Sequence, residues 1–99
     1  MQPFERFKKT NTEGNLWIYI LELGKEGETP DSDATKLIFE KFGFLPGELL
    51  TSSVLYKLRR GGFIKTEKFQ GKKAFSITED GKKELEKMRG LCQGILEKI

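Results

Sequence analysis

Near the middle of the chain, Ser52, Ser53, Tyr56, Arg59 and Arg60 recur at helical spacing. A helix over residues 46–60, turning about 100° per residue, gathers them with Leu49 on one side. Leu50, Val54, Leu55 and Leu58 fall on the other. Hydroxyls, a phenol and guanidiniums are hydrogen-bonding groups suited to base edges and phosphates. A solvated helix face is more often built from Glu and Lys, and an ordinary surface helix is the alternative for this segment taken alone.

The surrounding charge favours the first reading. Residues 57–73 hold seven bases (Lys57, Arg59, Arg60, Lys65, Lys68, Lys72 and Lys73) against one acid, Glu67, a balance of +6. Residues 22–48 carry three bases against seven acids, and residues 79–99 are balanced. A local basic excess is the electrostatic footprint of phosphate binding. Arg59 and Arg60, at the helix end, are expected to hold phosphates. Lys65 and Lys68 have a second reading, as charges that keep an edge strand from aggregating.

Catalysis finds no comparable set. The chain has no histidine and one cysteine, which removes the commonest general base, the commonest metal ligand and every Cys–His or Ser–His pair. No Gly-rich phosphate loop is present. No enzymatic activity, metal or cofactor is expected.

The elements that must position these side chains follow from periodicity and punctuation. Pro46 suits a first helical turn, and Gly61 and Gly62 close the central helix, one of them in the left-handed conformation of a C-cap. Upstream, residues 16–21 (LWIYIL) form an unbroken apolar run, taken as a buried helix capped by Asn15 and ending near Gly24. Residues 28–33 (ETPDSD) read as a turn whose Asp31 or Ser32 caps a helix over residues 33–42. That helix buries Leu37, Ile38 and Phe42. Helix, short turn, then the central helix is a helix-turn-helix.

Downstream the period changes. Residues 63–69 and 73–77 read as a hairpin with Gln70, Gly71 and Lys72 in its turn, so that Lys72 and Lys73 lie at a basic tip. Thr78 caps a last helix, with Glu79 and Asp80 in its first turn. Three helices, a hairpin and a further helix make a mostly α fold of the α+β class, a winged helix-turn-helix. Residues 1–99 are expected to form one domain, with residues 1–13 an N-terminal arm or short helix docked by Phe4 and Phe7.

Residues 79–99 should form a dimerisation helix. Leu85, Met88, Cys92, Ile95 and Ile99 step by three and four, the spacing of an a/d seam, and Leu91 and Leu96 widen it. Gly90 and Gly94 share a face and allow close backbone approach. The alternative is a helix folded back on residues 16–21 of its own chain. Cys92 reads as a small apolar seam residue. The chain has no apolar run long enough to span a membrane, the start MQPFERFKKT lacks the apolar middle of a signal peptide, and one cysteine fits a reducing compartment; a cytoplasmic protein is expected.

Four motifs in order, LWIYIL, FGFLPG, VLYKL and ITEDG, resemble the PadR family of winged-helix transcriptional regulators, over about residues 14–99. The resemblance implies a dimeric DNA-binding regulator, usually a repressor. A two-fold dimer presents two copies of the central helix one turn of DNA apart, so its double-stranded operator is expected to be a near-palindrome. The resemblance also implies that Ser52, Ser53 and Tyr56 face DNA from a recognition helix in the major groove, and that Lys72 and Lys73 contact the backbone or minor groove from the wing. The second helix follows TPDSD rather than the family's Tyr-containing motif, and the wing is short. A small-molecule effector is open, because many members bind one. A winged helix used as a protein-interaction module in a larger nucleic-acid-binding assembly is the competing function.

Overall fold

The computed structural model describes residues 1–99. Its helices are α1 (Pro3–Thr10), α2 (Leu16–Glu26), α3 (Ala34–Phe42), α4 (Glu48–Arg60) and α5 (Glu79–Lys98), and its strands are β1 (Thr29–Pro30), β2 (Ile64–Phe69) and β3 (Lys72–Ile77). Single 3-10 turns at Glu13–Asn15 and Asp31–Asp33 lead into α2 and α3.

The apolar run at Leu16 is helical because it is the hub of the core. α2 packs against α3, α4, α5 and β3. A helix touched on so many sides needs apolar residues around most of its circumference. Leu16, Ile20, Leu21 and Leu23 are buried there with Ile38, Leu55, Leu58, Ile64 and Phe75. Gly24 brings α2 down on the sheet: a Cβ there would meet the Ile77 amide nitrogen at 3.0 Å. Asn15 stands at the N-cap of α2 as expected, but its side chain makes no capping bond; its Oδ1 accepts a hydrogen bond from the Trp17 indole at 3.3 Å.

The sheet has three antiparallel strands in the order β1-β3-β2, one more than a hairpin. Thr29 and Pro30, read in the sequence as turn, pair with Phe75 and Ala74. Two residues are too few to show a strand period. In the hairpin, Ile64 faces Ile77 and Phe69 faces Lys72. The turn is therefore only Gln70 and Gly71, both at positive φ, 53° and 78°. A two-residue hairpin turn with positive φ at both positions matches the twist of the strands it joins. Lys72 is thus a strand residue beside the tip rather than part of the turn.

Other local expectations change as well. Neither Asp31 nor Ser32 caps α3: the cap position falls to Asp33, whose side chain makes no capping bond. Pro46 is buried just before α4, and Gly47 takes its N-cap. Leu50 stands 37% exposed, while Thr51 beside it is buried and donates to the Gly47 carbonyl at 2.9 Å. The buried face of α4 is therefore rotated toward Thr51, Leu55 and Leu58. The arm forms α1, but Phe4 and Phe7 do not dock it; both rings are exposed. Instead, the Tyr19 hydroxyl donates to the Asn11 carbonyl, and the Tyr19 ring packs edge-on against Phe42 and Phe44, each 4.9 Å between centroids. Burial pushes the Tyr19 phenol above its usual pKa.

The end of α4 is tied to the start of α5. Gly62, at φ 81°, turns the chain, and its carbonyl accepts from the Thr78 hydroxyl at 2.6 Å. The same Thr78 oxygen caps α5 by accepting from the Gly81 amide at 3.2 Å, as its sequence position predicts. Gly81 leaves no room for a side chain: a Cβ would lie 2.2 Å from the Phe63 carbonyl oxygen. Gly81→Ala is expected to destabilise the fold by about 1–3 kcal/mol in urea unfolding. Wild-type stability in that variant would mean that α5 does not approach Phe63 so closely.

Candidate nucleic-acid interface

The outward face of α4 is built by the burial of Thr51, Leu55 and Leu58 on its other side. Ser52, Ser53 and Arg60 are exposed, and Tyr56 is 61% exposed. Arg60 Nη1 donates to the Tyr56 hydroxyl at 3.2 Å, so the phenol keeps its own proton free to donate. At the start of the helix, Glu48 accepts from the Thr35 hydroxyl at 2.9 Å, which fixes α4 against α3.

Arg59 behaves differently from its neighbours. Its guanidinium grips Asp31 with two bonds, Nη1 to Oδ2 at 2.9 Å and Nη2 to Oδ1 at 3.0 Å. Nη2 also donates to the Ala74 carbonyl on β3 at 3.1 Å. The side chain is only 19% exposed, and Nε is buried without a partner. Arg59 is thus not a free cation on the outer face, as the residue pattern suggested. It follows Leu55 by four positions, and the rotated buried face carries it inward. The missing signal was Thr51: a polar residue in the core does not register in an apolar pattern.

The same clasp brings the wing to the helix. Lys73 shares with Ser52, Tyr56 and Ser32 a groove of about 340 Å3 between α4, the 3-10 turn and β3. Lys72, the preceding residue of β3, is exposed but does not line that groove, because successive strand side chains point to opposite faces. Lys65 lies 3.6 Å from Glu67, whose carboxylate also accepts from Ser76. No carboxylate lies within ion-pair distance of Lys57, Arg60, Lys68, Lys72 or Lys73. Five of the seven bases in this segment therefore face outward uncompensated, along the end of α4 and the wing.

The residues of the C-terminal seam divide into two groups. Leu85 is 3% exposed and belongs to the chain's own core, a correction to its place in a dimer seam. Met88 is half-buried against that core, and Arg89 pairs with Glu22 of α2 at 3.5 Å. Beyond Arg89 the helix leaves the body. Leu91, Ile95, Leu96 and Ile99 are exposed, and Cys92 is exposed with its sulfur 3.8 Å from that of Met88. The fold-back alternative holds for the first half of α5 only. No helix is long and apolar enough to cross a membrane.

A helix-turn-helix flanked by a two-stranded wing, with α2 behind and α5 after, defines a winged-helix protein. No protein-family model and no curated protein matches the sequence. Among solved structures, the Bacillus subtilis PadR in complex with operator DNA is 31% identical, with a TM-score of 0.65 over 74% of this chain and 45% of that one. The same protein with p-coumaric acid is 30% identical, with a TM-score of 0.63 over 78% of this chain and 42% of that one. The chain therefore spans less than half the length of that PadR. A PadR-like transcription factor from Bacteroides fragilis has the same fold at 17% identity, with a TM-score of 0.75 over 94% of both chains. The chain has the winged-helix fold that these PadR and PadR-like structures share.

Proposed function

We propose that this chain is a sequence-specific DNA-binding transcriptional regulator that acts in the cytoplasm as a homodimer and represses its target. The observation that carries the reading is the outward face of hydroxyls on α4 with Lys73 of the wing in the groove beside it, together with four further exposed bases on α4 and the hairpin that have no ion-pair partner. The likeness to a PadR crystallised on its operator supports it. In this reading α4 enters the major groove. Ser52, Ser53 and Tyr56 face base edges, Arg60 holds a phosphate, and Lys72 and Lys73 hold the backbone beside the wing. Arg59 acts from within, by holding the helix and wing together. The B. subtilis protein's complex with p-coumaric acid supports a small-molecule effector as a general feature, without assigning residues to it.

Lys72→Ala combined with Lys73→Ala should weaken binding to every duplex and flatten the log–log salt slope by about one to two units. Tyr56→Ala should instead narrow the ratio between affinity for a selected operator and for a scrambled duplex. Titrations at several salt concentrations check both. A wild-type chain that binds no duplex and captures a different protein instead would favour the interaction-module reading.

The dimer rests on the free end of α5. Leu91, Ile95, Leu96 and Ile99 leave the body uncovered, and a groove of about 340 Å3 lined by Trp17, Ile18, Met88 and Leu91 runs beside them. A second copy, packed about a two-fold axis, covers both features at once. It also sets two copies of α4 about 34–36 Å apart, one turn of DNA, so the operator should be a near-palindrome. Ile95→Asp should dissociate the dimer in sedimentation at micromolar concentration, because it places a charge in the seam. A wild type that sediments at the mass of one chain would contradict it.

A further inference from the structure

Leu49 sits in the first turn of α4 and is 88% exposed, more than any other large apolar side chain except the terminal Ile99. A single exposed leucine is ordinary on a protein surface. Its place is what makes this one informative. Leu49 shares the outward face of α4 with Ser53, four positions on, and Tyr56, seven positions on, two turns along the same line. The N-terminal residues of a recognition helix are those that reach base edges.

The other groups in the first two turns discriminate poorly. Ser52 and Ser53 bear hydroxyls that bond equally to donor and acceptor edges. Glu48 is held by Thr35. These turns contain no Arg, Asn or Gln to make the bidentate contacts that single out guanine or adenine. Leu45, 65% exposed, precedes the helix and lies in the turn. Leu50, 37% exposed, stands on the flank of α4 beside Val54 and Trp17. On the outward face itself, the side chain left with a distinctive chemistry is the apolar Leu49. In the major groove the 5-methyl group of thymine is the apolar feature that a base pair presents.

We propose that Leu49 is a specificity-determining residue that packs on the 5-methyl group of a thymine in each half-site. Desolvation of the methyl and of the exposed leucine supplies the preference, with no hydrogen bond required. The inference rests on the DNA-binding reading above, and its test separates the two.

The operator is first selected from random duplexes with the wild-type chain. Each thymine is then replaced in turn by deoxyuridine, which keeps the pairing and removes only the methyl. Wild type and Leu49→Ala are titrated against every duplex at fixed salt. One thymine per half-site should matter to the wild type. Its replacement should weaken binding by about fourfold, the worth of one buried methyl-sized group, and by about 16-fold when both half-sites are changed. Leu49→Ala should bind the unmodified operator more weakly and show no uracil penalty at that position. The inference is overturned if no uracil weakens the wild type, if Leu49→Ala keeps the same penalty, or if the half-sites contain no thymine. Specific binding to the unmodified operator leaves the DNA-binding reading standing in each of those cases. Failure to enrich or bind any duplex overturns both.

Discussion

The working face depends on the grip of Arg59 on Asp31 and on the Ala74 carbonyl. One side chain there joins three parts of the chain: the last turn of α4, the 3-10 turn that starts α3, and the central strand of the sheet. A planar guanidinium bonded in a fork to a carboxylate fixes direction as well as distance. The opposite end of α4 is fixed by Glu48 and Thr35. With both ends held, the outward face of α4 cannot roll relative to α3 or the wing. Lys73 is on β3 immediately before Ala74, so the bond that holds the strand also sets where that lysine stands. A partly buried pair of this kind is better understood as specifying one arrangement than as adding much stability.

The clasp also shapes the electrostatics. It consumes one of the seven bases between Lys57 and Lys73 and neutralises one acid of the negative stretch before it. The cations that remain free stand on the end of α4 and on the hairpin. Lys65 and Lys68 on β2, the edge strand, serve two physical ends at once in the proposed function. They make the short, open edge of the sheet unattractive to other strands, and they present positive charge to a phosphate backbone. Behind this face, α2 and Phe75 fill the space between helices and sheet, so the presenting surface rests on a packed layer. In the proposed function the rigidity matters because direct reading of bases needs side chains placed to within a fraction of an ångström.

Much of this was legible in the sequence. Punctuation at Pro46, Gly61–Gly62 and Thr78, together with the change of period after Gly62, located α4, the hairpin and α5. The hydroxyl-rich face of α4 was legible for the same reason: Ser52, Ser53 and Tyr56 keep helical spacing and stay outside. What escaped was set by tertiary contacts. Arg59 turned inward because Thr51 joined the core in place of Leu50. Leu85 looked like seam until α2 was seen to cover it. Asp31 looked like a helix cap, but an arginine 28 positions away claimed it. β1 is too short to announce itself and exists because Phe75 and Ala74 offer it an edge. Phe4 and Phe7 suggested docking by their type alone, yet both rings stay largely exposed.

The claim that Arg59 and Asp31 act as one clasp is most directly tested by a double-mutant cycle in urea unfolding. Asp31→Ala, Arg59→Ala and the double variant are compared with wild type. The account predicts a coupling energy of about 1.5–3 kcal/mol, with each single variant costing nearly as much as the pair. Single effects that simply add, with no coupling between the two positions, would contradict it.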